Sequence, residues 1–133
     1  MYFVYFFLQM LLSAVLGALI GFQRERSGKS AGPRTYALVS LGSALFTLLS
    51  LHAFPGDDTG RIAAGVVTGI GFLGAGLIIH KNGGVVEGLT TAAGLWAVSA
   101  IGVAVGAGWL IEACLVSVLV FCLLSLNLHR LVK

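Results

Sequence analysis

Residues 61–79, RIAAGVVTGIGFLGAGLII, contain Gly69-Ile-Gly-Phe-Leu-Gly74, which spells G-x-G-x-x-G. In a dinucleotide-binding βαβ unit those glycines follow a strand, open a helix and are answered by an acidic residue about 20 positions on. Glu87 stands at a tolerable distance. The surroundings exclude that reading. From Ile62 to Ile79 there are eighteen residues without a charge, and as a helix they reach about 27 Å, close to the thickness of a bilayer's hydrocarbon core. A βαβ unit placed there would expose strand edges to lipid, which cannot satisfy them.

The rest of the chain agrees. It is 58% hydrophobic and 10% charged, against about 25% charged in an ordinary soluble domain. The uncharged stretches place five spans at about residues 3–23, 35–54, 62–80, 88–106 and 109–128. The last two are separated by a turn near Gly106-Ala-Gly108, because one helix from Gly88 to Leu128 would run about 60 Å, twice the core thickness. An all-α bundle of five transmembrane helices follows, one domain over residues 1–133 with no soluble C-terminal domain expected. Seven of the eight basic residues, Arg24, Arg26, Lys29, Arg34, Lys81, Arg130 and Lys133, fall on one side of this topology, and Arg61 alone on the other. The positive-inside rule makes the first side cytoplasmic, with the N-terminus outside. The net charge of +3 reflects that topology, and no nucleic-acid partner is expected.

The 19 glycines are about twice ordinary usage, and most lie within spans, where small residues let helix backbones approach. Ser13, Gly17 and Gly21 form a seam on the first span, Ser40, Ser43, Thr47 and Ser50 on the second, and Ala93, Ala97, Ala100, Ala104 and Ala107 on the fourth. The third span has small residues on nearly every side and is predicted to be the central helix. Shifting residues 28–44 by 56 positions aligns Gly28, Gly32, Thr35, Ala37, Ser43 and Ala44 with Gly84, Gly88, Thr91, Ala93, Ser99 and Ala100. That match predicts a parallel repeat of helix pairs 1–2 and 3–4.

Sites for chemistry are sparse. Ser27-Gly-Lys-Ser30 ends like a P-loop, but Gln23 stands where that motif needs glycine. His52, His80 and His129 sit near span ends and make no metal-ligand spacing. Asp57 and Asp58 read as a solvated turn. Cys114 and Cys122, eight apart on one helix, cannot form a disulfide with each other. No catalytic group, cofactor or metal is expected, and the protein is read as non-enzymatic. Transport would normally announce itself by an ionisable group in mid-span; here a permeation path would have to use Thr68, Thr90 and Thr91. The richest polar cluster runs from Arg24 to Thr35, where Glu25 is expected to pair with Arg34.

Taken together, GALIGFQRERSGKSAGPRTYALVSLGSALF, RIAAGVVTGIGFLGAG and GLTTAAGLWAVSAIGVAVGAG resemble the hydrophobic domain of the MgtC/SapB family of bacterial inner-membrane proteins, over about residues 10–112. The motif positions are Gly21, Arg24, Glu25, Arg34 and Thr35 in and beside the first cytoplasmic loop. Arg61, Gly69, Gly71, Gly74 and Gly76 follow, then Gly88, Thr90, Thr91 and Trp96. Gln23, Pro33 and Gly65 depart from the usual pattern. Virulence-associated members carry asparagine and cysteine at the places of Thr90 and Ala97. The resemblance implies a role in growth at low magnesium or under acid stress, exerted by binding other membrane proteins, F-type ATP synthase among them. The small-residue faces, Gly65 and Gly69 included, further imply a homodimer. The alternative is a channel or carrier for a small cation such as magnesium.

Overall fold

The computed structural model describes residues 1–53, 60–81 and 84–126. Asp57, Asp58, His129, Arg130 and Lys133 lie outside them, as does the end of the fifth span. The described chain is five helices and one two-stranded hairpin: α1 (Tyr2–Arg26), α2 (Pro33–His52), α3 (Gly60–Leu77), β1 (Ile79–His80), β2 (Val86–Glu87), α4 (Leu89–Gly106) and α5 (Leu110–Ser125). Each helix lies within a few residues of its expected span. The first four are long and apolar enough to cross a bilayer, while α5 is a shorter apolar helix of 16 residues. The described chain is a helical, multi-pass membrane bundle with one short hairpin. The G-x-G-x-x-G stretch lies inside α3, which runs unbroken through its glycines.

Helix boundaries follow local chemistry. Pro33 opens α2 at its first turn, where the missing N–H costs nothing. Gly28, Gly84, Gly88 and Gly108 take positive φ in the connections, as a left-handed turn residue must without a Cβ. The hairpin between α3 and α4 has no apolar run to announce it. Ile79 pairs with Glu87 and His80 with Val86, and Lys81 Nζ reaches Glu87 Oε1 at 2.7 Å.

The centre of the bundle is formed by α2 and α4, not α3. Helices α1 and α3 each pack on both, and α5 packs on α4 and α1. Of α3 only Ile70 and Gly74 are buried, which corrects its predicted central place. A Cβ built at Gly65, Gly69, Gly71 or Gly76 would meet nothing within 4 Å. Small residues permit close approach without supplying the volume that fills a core. The middle went instead to helices that alternate glycine or serine with Tyr36, Leu95, Val98, Ile101 and Val105, all 1% exposed or less.

Two seams form as the small residues indicated. A Cβ at Gly17 would stand 2.5 Å from the Tyr36 carbonyl oxygen, and one at Gly21 2.6 Å from Pro33 Cα. Ser13 and Ser40 share a hydrogen bond of 2.8 Å, and Ser40, Ser43, Thr47 and Ser50 are all buried. The alanine stripe of α4 does not form a seam. Ala93, Ala100 and Ala107 are exposed, and the packed face of α4 carries Gly94, Gly102 and Gly106 instead. An alanine row and a glycine row at the same period look alike in sequence; the face whose neighbours include Leu95, Val98 and Ile101 has more area to bury.

Several pairs of the 56-residue match hold the same station. Gly28 and Gly84 both have positive φ, Gly32 and Gly88 both precede a helix, and Ser43 and Ser99 touch each other at 3.0 Å. Since Ser43 Oγ also donates to Val39 O, Ser99 is the donor between the two. Alanine at both positions should reveal a coupling of about 0.6 kcal/mol in a double-mutant cycle read by denaturant titration, the average for such bonds in membrane bundles. Zero coupling would mean that the two hydroxyls do not bond.

Candidate functional site

Two places gather the residues singled out in the sequence. The first is the basic end of the bundle. The buried stripe of α1 runs Gln9, Ser13, Leu16, Gly17, Ile20, Gly21 and ends at Arg24. Arg24 therefore belongs to the last helical turn, not to the loop, and is 3% exposed. Its Nη2 donates to Thr91 Oγ1 at 3.2 Å, and Tyr36 donates its hydroxyl proton to the Thr91 carbonyl at 3.2 Å. Three helices thus meet at one guanidinium. Gly94 makes room for this arrangement, since a Cβ there would fall 2.6 Å from the Tyr36 hydroxyl. Beside it, Gln23 Nε2 donates to Leu124 O at 3.0 Å and ties α5 to α1.

The other loop residues are not drawn in. Glu25, Arg34 and Thr35 are exposed, and Glu25 does not pair with Arg34. Glu25 closes α1 and lies against Gly32, with Oε1 3.3 Å from the place a Cβ would take there. Arg34 is exposed in the first turn of α2. Among the described residues the ion pair found is Lys81 with Glu87, and at just over half exposure it adds at most about 1 kcal/mol.

The second place is the outer face of α3. With α2 it encloses an open apolar groove of about 740 Å³, lined by Val39, Gly42 and Phe46 on one side and Gly65, Gly69 and Leu73 on the other. Of the motif glycines on α3, Gly74 alone packs against the bundle, its absent Cβ 3.5 Å from that of Ala92. Trp96 is exposed on α4. The three threonines proposed as a polar path are not brought together. Thr68 is exposed and bonded to Ala64 O of its own helix, Thr90 is exposed, and Thr91 is buried against Arg24. Among the described residues no group of three or more His, Cys, Asp or Glu side chains is placed to hold a metal ion.

Sequence reasoning missed Tyr36, Gly94 and Gln9. Gln9, 3% exposed, donates Nε2 to Val105 O at 3.1 Å. A lone amide in an otherwise apolar span was the available signal, because such a group in lipid needs a partner.

A multi-pass helical bundle with a buried arginine at its basic end and a glycine-lined helix on its rim is the class of protein that fold and site define. Residues 10–131 match the sequence profile of the MgtC family, and the chain belongs to that family. It is 46% identical to protein MgtC of Salmonella typhimurium over 117 residues, covering 88% of this chain and 50% of that protein. To YhiD of Escherichia coli K12, named as a candidate magnesium transporter, it is 45% identical over 111 residues, 77% of this chain and 51% of the relative. A Haemophilus influenzae protein is 40% identical over 136 residues, covering 96% of this chain and 56% of its own length. The chain spans about half the length of the curated relatives it matches. No solved structure matches it.

Proposed function

We propose that this chain is a non-enzymatic regulator in adaptation to low magnesium or acid stress, acting by docking a transmembrane helix of another membrane protein against α3. The observation that carries the reading is the open glycine face. A Cβ added at Gly65 or Gly69, which line the groove beside α2, or at Gly71 or Gly76 elsewhere on α3, would meet nothing within 4 Å, although a glycine in mid-helix costs about 1 kcal/mol against alanine. Lipid gives no reason to leave such a row bare; a helix that must approach backbone to backbone does. Magnesium enters through the family resemblance and through the name of one relative, the candidate magnesium transporter YhiD. F-type ATP synthase is the partner to test first, on the family resemblance, and a second copy of the chain is the other occupant of the same face.

The test uses defined components. With a photo-crosslinking residue at Leu73, liposomes holding the chain and F-type ATP synthase should give a crosslinked product, and Gly65→Leu or Gly69→Leu should abolish it while the helical signal and melting of the protein stay unchanged. Crosslinks that persist undiminished in both variants would remove the glycine face from the mechanism. A crosslink to a second copy instead would make the chain a homodimer. Magnesium flux into liposomes holding the chain alone would favour the transport reading, which the separation of Thr68 from Thr91 weighs against.

A further inference from the structure

The bundle face of α1 ends in a buried cation for which the described residues supply no anion. Arg24 is 3% exposed, its Nη2 is held by Thr91 Oγ1, and its Nε is buried without any partner. A guanidinium carries five N–H donors and a full charge, and removing it from water is costly unless a counter-charge and hydrogen bonds replace the water. Each nearby acid is otherwise placed. Glu25 lies out against Gly32, Glu87 holds Lys81, and Glu112 is in the first turn of α5, at the opposite end of α4 from Thr91. The last carbonyls of α1 are also taken: Ser27 N bonds to Gln23 O and Arg24 O, Gly28 N to Glu25 O, and Lys29 N to Arg24 O.

The surroundings add positive potential. Thr91 lies in the first turn of α4, and Tyr36 just beyond the first turn of α2. Neither helix has an acidic residue in its first turn or a side-chain cap; the N-terminal dipole of α4 faces this end, while the Glu25 carboxylate lies at Gly32, the cap of α2. Arg26, Lys29 and Arg34, on and beside the connection from α1 to α2, are exposed. This is the end of α1, where the apolar span stops and the charge pattern of the sequence places the headgroups. Exposed apolar side chains flank it, Leu19 and Phe22 on α1 and Leu89 at the start of α4, and the Arg26 guanidinium sits 4.8 Å from the centre of the Phe22 ring.

We propose that Arg24 and the first turn of α4 form a phosphate-binding site, filled by the headgroup of an anionic phospholipid whose chains lie along the exposed apolar flanks of α1 and α4. The planar arginine fork matches a phosphate's oxygens, and basic sites between transmembrane helices at the headgroup level are suited to such lipids. Free phosphate offers the same oxygens without the chains.

Thermal unfolding of the purified chain in a neutral detergent, titrated separately with phosphatidylglycerol, phosphatidylcholine and inorganic phosphate, tests this. Phosphatidylglycerol should raise Tm saturably where phosphatidylcholine does not. R24Q should shift the phosphatidylglycerol midpoint up by about tenfold or more, as expected for a lost charge-assisted contact, while R26Q leaves it within about threefold, as an exposed charge would. Inorganic phosphate reproducing the whole rise would support the phosphate site and assign it to the free ion. If R24Q does not fold, R24K, which keeps the charge and loses the fork, is read in its place. Equal response to both lipids in the parent chain would overturn the proposal, as would a preference for phosphatidylglycerol that survives at Arg24→Gln or Arg24→Lys. A rise that follows protein concentration and ignores headgroup would give Arg24 to a carboxylate of a second chain and overturn it too.

Discussion

Gly102→Val should abolish the folded bundle. A Cβ at Gly102 overlaps the Ser40 carbonyl oxygen and falls 2.8 Å from Ser43 Cβ and 3.0 Å from the Ser40 carbonyl carbon, so valine meets backbone, which has no rotamer to change. Helix α2 cannot retreat locally. One turn on, Gly106 is pressed against Ala44 and stands 2.8 Å from Thr47 Cβ, and one turn back Ser99 holds Ser43. Overpacking a core costs about 1–3 kcal/mol where side chains can shift; separating two backbones should cost more, enough to exceed the margin of an ordinary domain when added to lost contacts along α4. Gly71→Val supplies the control, since Gly71 meets nothing within 4 Å. Folded yield in detergent and the midpoint of denaturant unfolding decide: valine at 102 should leave no cooperative transition, valine at 71 one close to the parent chain. Similar midpoints for both would show that α2 and α4 are not in backbone contact there.

Gly88→Ala should be the most damaging single methyl in the connections. Gly88 has φ +87 and precedes α4, and an L-residue in that region costs about 1–2 kcal/mol. Space is the larger factor: a Cβ at Gly88 overlaps the Leu77 carbonyl oxygen and lies 2.8 Å from the Leu77 carbonyl carbon, where α3 ends against the start of α4. Gly84 separates the two effects, having φ +80 with nothing within 4 Å. Gly84→Ala is expected to lose about 1–2 kcal/mol by strain alone, and Gly88→Ala at least about 3, strain and overlap together. Equal losses in denaturant titrations would mean that the α3–α4 junction is looser than its geometry indicates.

The same two glycines show what was legible in advance. Gly88 was marked as a motif position and Gly102 was not, although both admit no side chain. The motif reading followed a pattern of letters, whereas the constraint at Gly102 comes from α2, about 60 residues earlier in the chain. The serine row of α2 was read correctly because hydroxyls in an apolar span need partners wherever they point. The alanine row of α4 was misread because alanine packs acceptably on either side of a helix. At the candidate site, Arg24, Thr91 and the α3 glycines were named, but their roles separated only in three dimensions: one pair closes the basic end, while the glycines stand open. Tyr36 carried no signal, as an aromatic residue near a span end is commonplace.

The sequence by itself determined that the chain is a membrane bundle of apolar helices, and that the G-x-G-x-x-G stretch lies inside one of them. Those conclusions rest on charge, length and the need of backbone groups to find partners within the segment, all local to each span. Only the tertiary structure decided that α2 and α4 hold the centre, that the glycine helix lies on the rim, and that Arg24 turns inward onto Thr91. Helix order in a bundle depends on which pairs of faces fit together over their whole length, and a periodic row of small residues marks a face that can be approached without recording what approaches it.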